Sequence, residues 1–464
     1  MRKTLLLVAL AGAAMAMPAH AQTTSPADDV SEARLRETVE TLVGFGTRHT
    51  LSDQVSETRG IGAARRWAEA EFRRISAACG GCIELQLPEE MIVGARVPTP
   101  TRLVNVLAIQ RGTERPNEVV IISGHIDSRV TDPMDATSDA PGANDDGSGT
   151  AAVIEAARVL SRRRFPTTIV YAVLSGEEQG LYGGRLLARH AAAQGWTVKA
   201  VLNNDIIGGS RGSDGLVDDA HVRVFSEGAR ADSSDALRAS ARREGGENDS
   251  PSRNLSRWIA ALSQPSLEVR QIFRSDRFGR GGDQMPMLEA GYPAVRFSVA
   301  IEDYDHQHQD IRIENGVTYG DTMAFVDFAY LANVTRLNVA ALSGLAAAPL
   351  PPAPSVQGAV STDTTLHWSA ESGADSYRIY RRRTDERDWH LLDSTSYAQT
   401  AMRLLRPDDP RLSITMPDMV IFSAILQGVR VDDWIFGVSS VSADGSESPI
   451  ASAVPGGAFV PIAR

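Results

Sequence analysis

Two apolar stretches, residues 119–122 and 168–174, constrain this chain more than any other feature. A strand with one wet face alternates apolar and polar residues, so runs this nearly continuous predict strands buried on both faces. Between them, Val153, Ala156, Ala157 and Leu160 recur at i, i+3, i+4 and i+7 within residues 148–161, the pattern of a helix packed along one face. Strand, helix and strand in that order make a βαβ unit with parallel strands. The same alternation runs over residues 30–345. Leu35, Val39 and Leu42 share one helical face, as do Ile61, Ala64, Ala68 and Phe72, and further strands are predicted at 104–109, 200–203 and 294–299. The expected fold is α/β, a mixed and mainly parallel sheet flanked by helices. Ligands of such sheets collect outside the carboxyl ends of the strands.

After Leu345 the character changes. Pro349, Pro351, Pro352 and Pro354 predict a stiff extended linker. Beyond it the period is two, with Leu366, Trp368, Tyr377, Ile379, Trp434, Phe436 and Val438 as inward candidates, which predicts an all-β sandwich. The run Trp434 to Val438, with Asp444-Gly445-Ser446-Glu447-Ser448 after it, resembles the end of a fibronectin type III domain. That part holds no cluster of metal ligands or nucleophiles, so binding of another protein or a surface is the role open to it.

The amino terminus points to export. Arg2 and Lys3 precede an apolar run over residues 5–16, and Ala19-His20-Ala21 has the small-x-small form cut by signal peptidase. The run is shorter than the roughly 20 residues that span a bilayer, and no later segment is long and apolar enough. The expected division is a signal peptide at 1–21, a catalytic domain at 22–348, a linker at 349–355 and a sandwich at 356–464, in a secreted or periplasmic protein without a membrane span. A formal charge of -11 without any basic stripe argues against nucleic acid as a partner. Cys79 and Cys82 are the only two cysteines, and in an oxidising compartment Cys-Gly-Gly-Cys suits a small local disulfide.

Four polar clusters stand at or just beyond predicted strand ends. They are Gly124-His125-Ile126-Asp127-Ser128, then Gly142-Ala143-Asn144-Asp145-Asp146-Gly147, then Ser175-Gly176-Glu177-Glu178-Gln179, and finally Asn203-Asn204-Asp205. Singly, each has an ordinary explanation: a hydrogen-bonded core histidine, a helix cap, a solvated turn. Together they deliver imidazole and carboxylates to one edge of one sheet. Carboxylates gathered in a cleft repel one another, and no lysine or arginine lies inside these motifs, so metal is the natural counter-charge. Asp127, two residues past His125, is placed to accept the other imidazole N–H and fix its tautomer.

This set resembles the M28 family of zinc exopeptidases, over nearly all of residues 30–345. The resemblance implies two zinc ions per chain, with His125 on one, Asp145 bridging both, Glu178 and Asp205 each ligating one, and Glu177 as general base. A cis peptide bond between Asp145 and Asp146 is also implied. The last ligand is a histidine in the form His-x-x-x-Asp. Within Tyr304-Asp305-His306-Gln307-His308-Gln309-Asp310 the match is His306, with Asp310 four residues on, and spacing alone leaves His308 open. Paired metals polarise a carbonyl and acidify water, and a carboxylate beside a ligand can then move the proton. Gly208-Gly209-Ser210-Arg211-Gly212 matches a serine-hydrolase motif, but no apolar-faced helix follows to make a nucleophile elbow.

In relatives the segment around residues 273–284 lines the substrate pocket, which makes Arg280, Asp283 and Gln284 candidate substrate contacts. Gln284 stands where the family often has histidine. Arg274, Arg277 and Arg280 could receive a substrate carboxylate, or else pair internally with Asp276 and Asp283. The expected function is hydrolysis of N-terminal residues from peptide substrates by two-metal-activated water. The alternatives are a carboxypeptidase or dipeptidase of the same family, a glutaminyl cyclase-like transferase, whose relatives lack the first histidine, and a non-catalytic binding protein on this scaffold.

Overall fold

The computed structural model of the chain describes residues 25–262, 264–396, 421–457 and 459. The expected signal peptide and its cleavage point before Gln22 lie outside them. Helices α1 (Glu32–Gly44) and α2 (Gly60–Ala78) lead into β1 (Glu84–Gln86), the hairpin β2 (Glu89–Gly94) and β3 (Val97–Val104), then β4 (Val106–Gln110) and β5 (Arg115–His125). The alternation continues through α3 (Gly147–Leu160), β6 (Thr167–Leu174), α4 (Tyr182–Ala193) and β7 (Thr197–Asn204). Next come β8 (His221–Ser226), α5 (Asp235–Glu244), α6 (Pro251–Ala261) and β9 (Glu268–Ile272). Then follow α7 (Gln284–Glu289), β10 (Ala294–Val299), the small hairpin β11 (Arg312–Glu314) and β12 (Val317–Tyr319), and α8 (Phe328–Ala347).

Eight of these strands form one sheet, ordered β1-β4-β6-β5-β7-β10-β8-β9. The run β6, β5, β7, β10 is parallel throughout, and so is the β8–β9 pair. The contacts β1–β4, β4–β6 and β10–β8 are antiparallel. The expected βαβ unit is therefore present as β5-α3-β6. Its apolar runs are explained by two cores. Val120, Ile122, Ile169 and Tyr171 face α1, α3 and α8, while Val119, Ile121, Val170 and Ala172 face α4 and α7. Each such side chain contributes about 1.5–3 kcal/mol by leaving water, so a charged residue at Ile121 would have no wet face to turn to.

The carboxyl ends of β5 and β7 and the start of α3 are tied together by one buried side chain. Asp146 caps α3 by accepting the Gly149 N–H at 2.9 Å, and it also accepts the amides of His125 at 2.9 Å and Ile206 at 3.3 Å. Cys79 and Cys82 are joined in the expected disulfide. No helix among the described residues is long and apolar enough to cross a membrane.

Beyond α8, strands β13 (Ser355–Gln357), β14 (Thr364–Ser369), β15 (Ser376–Arg383), β16 (His390–Ser396), β17 (Ile421–Leu426), β18 (Trp434–Val441) and β19 (Ala451–Ser452) build two antiparallel sheets, β13-β14-β17 and β16-β15-β18-β19. Leu366, Trp368, Tyr377, Ile379, Phe422, Phe436 and Val438 fill the core between them. Trp434, expected inward, is only half-buried at the strand start, where Arg381 lies 4.1 Å over its ring. Pro351 and Pro352 of the expected linker are buried. A polar seam holds these sheets to the larger domain: Arg382 pairs with buried Asp249, which also accepts Ser452 Oγ at 2.8 Å.

Candidate metal centre

His125 ends β5, Glu177 and Glu178 follow β6, Asp205 follows β7, and Asp145 precedes α3, so parallel strands alone bring four of the motifs to one edge. The Asp145–Asp146 peptide bond is cis, as the family resemblance implied. The ligating atoms fall into two groups that share Asp145: His125, Asp145 and Asp205 in one, Asp145, Glu178 and His308 in the other. His125 Nε2 lies 3.3 Å from Asp145 Oδ1 and 3.8 Å from Asp205 Oδ1. On the other side His308 Nε2 lies 2.9 Å from Asp145 Oδ2 and 2.9 Å from Glu178 Oε1. Each oxygen of the Asp145 carboxylate thus serves a different group.

The late histidine that joins these groups is His308, and His306 lies outside them. The His306 ring stacks on Phe325 with centroids 3.4 Å apart and directs Nδ1 to Asp303 at 2.6 Å, away from both groups. The match to His-x-x-x-Asp does not carry over because the backbone here is irregular. His308 has a left-handed conformation, φ +56°, that turns its ring toward Asp145. Asp310, matched with His306 in the motif, exchanges bonds with Thr131 instead.

Asp127 acts differently from expectation as well. The Nδ1 of His125 meets the backbone carbonyl of Asp127 at 3.0 Å, and the carboxylate stands off at 3.6 Å. The buried carboxylate instead accepts the amides of Glu177 at 3.3 Å and Glu178 at 3.1 Å and the Thr50 hydroxyl at 3.0 Å. Its carbonyl sets the His125 tautomer while its side chain holds the Glu177-Glu178 turn.

Three groups, two of them buried, carry no signal used in the sequence analysis. Arg296 of β10 pairs with Asp205 Oδ2 at 2.9 Å, and Arg129 Nε with Glu178 Oε2 at 2.9 Å. Asp321 accepts the amides of Asn144 and Asp145, the latter at 2.7 Å, and fixes the bridging loop. A lone arginine in the apolar stretch Ala-Val-Arg-Phe-Ser-Val was a legible signal, because strands buried on both faces rarely carry an unpaired charge. Nothing local marks Asp321. Basic side chains do reach the cluster, then, but each takes the outward oxygen of its carboxylate. The inward atoms His125 Nε2 and Glu178 Oε1 are buried without a hydrogen bond, since the 2.9 Å approach of His308 to Glu178 is not aligned as one. Buried polar atoms without partners are costly, and a donor set of two imidazoles and three carboxylates fits zinc.

Glu177 is half-buried at the edge of the cluster. Burial, with Glu178, Asp205 and Asp283 nearby, outweighs His125 and pushes its carboxyl well above the usual range. Burial would likewise raise Asp205, but Arg296 and His125 hold it below that range.

The expected substrate contacts fare less well. Gln284 is fully buried, bonded to Asn203 at 3.2 Å, to the Ser275 carbonyl at 3.0 Å, and to Asp276. Asp283 is buried too and accepts the Gly184 amide at 3.0 Å. Both are buried in the support of the loop. Arg280 pairs with Glu302 at 2.7 Å, and Arg277 with Asp276 at 3.0 Å and Glu302 at 3.4 Å. Asp283 is the partner of none of them, because it lies under α4.

Residues 105–324 match Peptidase family M28. Over 438 residues the chain is 41% identical to a probable zinc metalloprotease of Leptosphaeria maculans, covering 92% of this chain and 96% of that one. Among solved structures, LapB from Legionella pneumophila is similar in fold, with TM-score 0.51 at 19% identity over 70% of this chain and 74% of that one. The Legionella pneumophila LapA aminopeptidase is similar too, with TM-score 0.50 at 18% identity over 74% and 80% of the two chains.

Proposed function

Since this chain belongs to peptidase family M28 and is a zinc metalloprotease, we propose that it is a secreted aminopeptidase that holds two zinc ions and removes N-terminal residues from peptides. The observation that carries the two-ion reading is the division of Asp145, one oxygen toward His125 and Asp205 and the other toward Glu178 and His308. Bound there, zinc would supply Lewis acidity for the scissile carbonyl and for the attacking water. Glu177 is the group to take the water's proton and pass it to the leaving amine. A group that takes this proton and then returns it must reach both the water and the leaving amine, and Glu177 stands half-buried at the edge of the cluster beside Glu178. Asp127 holds the Glu177 amide, Arg296 holds Asp205, and Asp321 holds the Asp145 loop, so all three position the groups that act.

The amino-end preference is carried over from the LapA aminopeptidase as a proposal. The carboxypeptidase alternative needs a free guanidinium for the substrate carboxylate; Arg277 and Arg280 are already engaged by Glu302, which leaves Arg274, over the Phe278 ring, as its candidate. The presence of His125 weighs against the cyclase. Export rests on Arg2, Lys3 and the apolar run before Ala21. The three-strand and four-strand sheets after α8 are proposed to be a fibronectin type III-like module that binds a protein or surface.

The test is a panel of aminoacyl amides, N-acetylated dipeptides and carboxyl-blocked dipeptides, assayed with and without chelator. Cleavage that requires a free amine and stops with chelator is expected. Cleavage that requires a free carboxylate would replace this reading. In the same assay Glu177→Gln should keep its zinc while losing about 10²–10⁴-fold in rate, and normal turnover would remove Glu177 from the proton transfer.

A further inference from the structure

The two metal positions are built alike in their carboxylates and oppositely behind their histidines. A histidine that ligates through one ring nitrogen ordinarily donates its other N–H to a carbonyl, carboxylate or water. His125 obeys this rule, because its Nδ1 faces the Asp127 carbonyl at 3.0 Å, which places the proton on Nδ1 and leaves the buried Nε2 bare and without a partner. At His308 the neighbour is a donor. Arg129 Nη2 lies 2.6 Å from His308 Nδ1, while Nε of the same guanidinium lies 2.9 Å from Glu178 Oε2. A guanidinium has only N–H groups to offer, so Nδ1 must accept, and a neutral His308 then carries its proton on Nε2. That is the nitrogen 2.9 Å from Asp145 Oδ2 and Glu178 Oε1, where a cation would sit.

We infer that Arg129 makes the two positions unequal, holding His308 with its proton on the inward nitrogen and so weakening uptake of the second cation. This rests on the two-ion reading above. Occupancy at His308 requires the ring to give up the N–H at Nε2 and gain one at Nδ1, with no change of charge on the ring. The Nδ1–H would then point at a guanidinium N–H, so Arg129 must turn away or lose its bond. Its positive charge, held against Glu178, also repels a divalent ion taking the same carboxylate. Arg296 sets a like charge behind Asp205 at the His125 position, but there the other ring nitrogen faces a carbonyl and not a guanidinium, so that position carries only one of the two handicaps and fills first. Arg129 is thus a positioning residue that sets the order of metal uptake.

Titration of metal-free full-length protein with Zn2+ by calorimetry tests this, with visible spectra of the Co2+ form as a second readout. The wild type should show two steps, the second the weaker. Arg129→Gln offers an amide N–H to Glu178 and a carbonyl to the Nδ1–H, so the second step should tighten by about tenfold or more while the first stays put. Arg129→Lys keeps the charge and the donor, and its second step should stay weak. Two steps with unchanged or wider spacing in Arg129→Gln would overturn the inference and leave the two-ion reading intact. A single ion bound by both wild type and Arg129→Gln would overturn the two-ion reading, and this inference with it.

Discussion

Replacing Asp127 by Asn separates two roles for the same residue. If Asp127 served to orient His125, an amide would do nearly as well, because the contact to the imidazole comes from the backbone carbonyl at 3.0 Å and survives any side-chain change. The structure assigns the carboxylate to the Glu177-Glu178 turn instead, through three accepted hydrogen bonds from Glu177 N, Glu178 N and Thr50 Oγ1. An Asn at this buried position keeps at most one oxygen. With that oxygen toward Glu178 and Thr50, the new NH2 group confronts the Glu177 N–H. The change removes one charge-assisted bond, worth about 1.5–3 kcal/mol, and leaves a buried donor unmet at about 1–3 kcal/mol, for a total of about 2.5–6 kcal/mol. Denaturant unfolding of the metal-free full chain, followed by tryptophan fluorescence, should show a loss in that range. Zinc-loaded Asp127→Asn should also lose activity, because the Glu177 carboxyl moves with its amide. An unfolding midpoint at the wild-type value, with activity retained, would refute the assignment.

Alanine at His308 should remove one of two bound zinc ions and abolish turnover, whereas alanine at His306 should leave both ions in place, with metal content by mass spectrometry as the readout. Arg382→Ala removes the closer of the two guanidinium groups on buried Asp249, with Arg257 remaining at 3.7 Å, and should cost about 1.5–3 kcal/mol, seen as faster amide exchange at residues 451–452, while small-substrate activity at low temperature is unchanged. Burial beside Glu118 pushes Glu371 up to about 7 from 4.5. A raised carboxyl binds more protons folded than unfolded between those values, so its contribution to stability is present below about 4.5 and lost as pH rises through about 7. Glu371→Gln should therefore raise the unfolding midpoint at pH 8 relative to wild type and change it little at pH 4.

The parts of the fold legible from sequence were those where one physical requirement repeats along the chain. Val119 to Ile122 and β6 are apolar throughout because α3 and α4 cover opposite faces, and that pattern needs no knowledge of partners. His125, Asp145, Glu178 and Asp205 could be placed together because parallel strands end at a common edge. His308 could not be chosen over His306, since a left-handed residue in a non-repeating turn reverses what spacing implies. Asp283 and Gln284 look like pocket residues in sequence, and only the packing of α7 under α4 shows them buried.

Arginines outside the motifs do meet the carboxylates, which by itself weakens any claim that metal is required for charge balance. Yet Arg296 takes Asp205 Oδ2 while Asp205 Oδ1 faces His125, and Arg129 takes Glu178 Oε2 while Oε1 is left without a hydrogen bond. A guanidinium arriving merely to neutralise a buried carboxylate would engage both oxygens, as Arg230 does with Asp232. One-sided pairing orients a carboxylate as well as compensating it, and at both sites the free oxygen points to the same small volume beside a ring nitrogen. The demand left there is for a compact cation with several ligands at about 2 Å, which no side chain can supply.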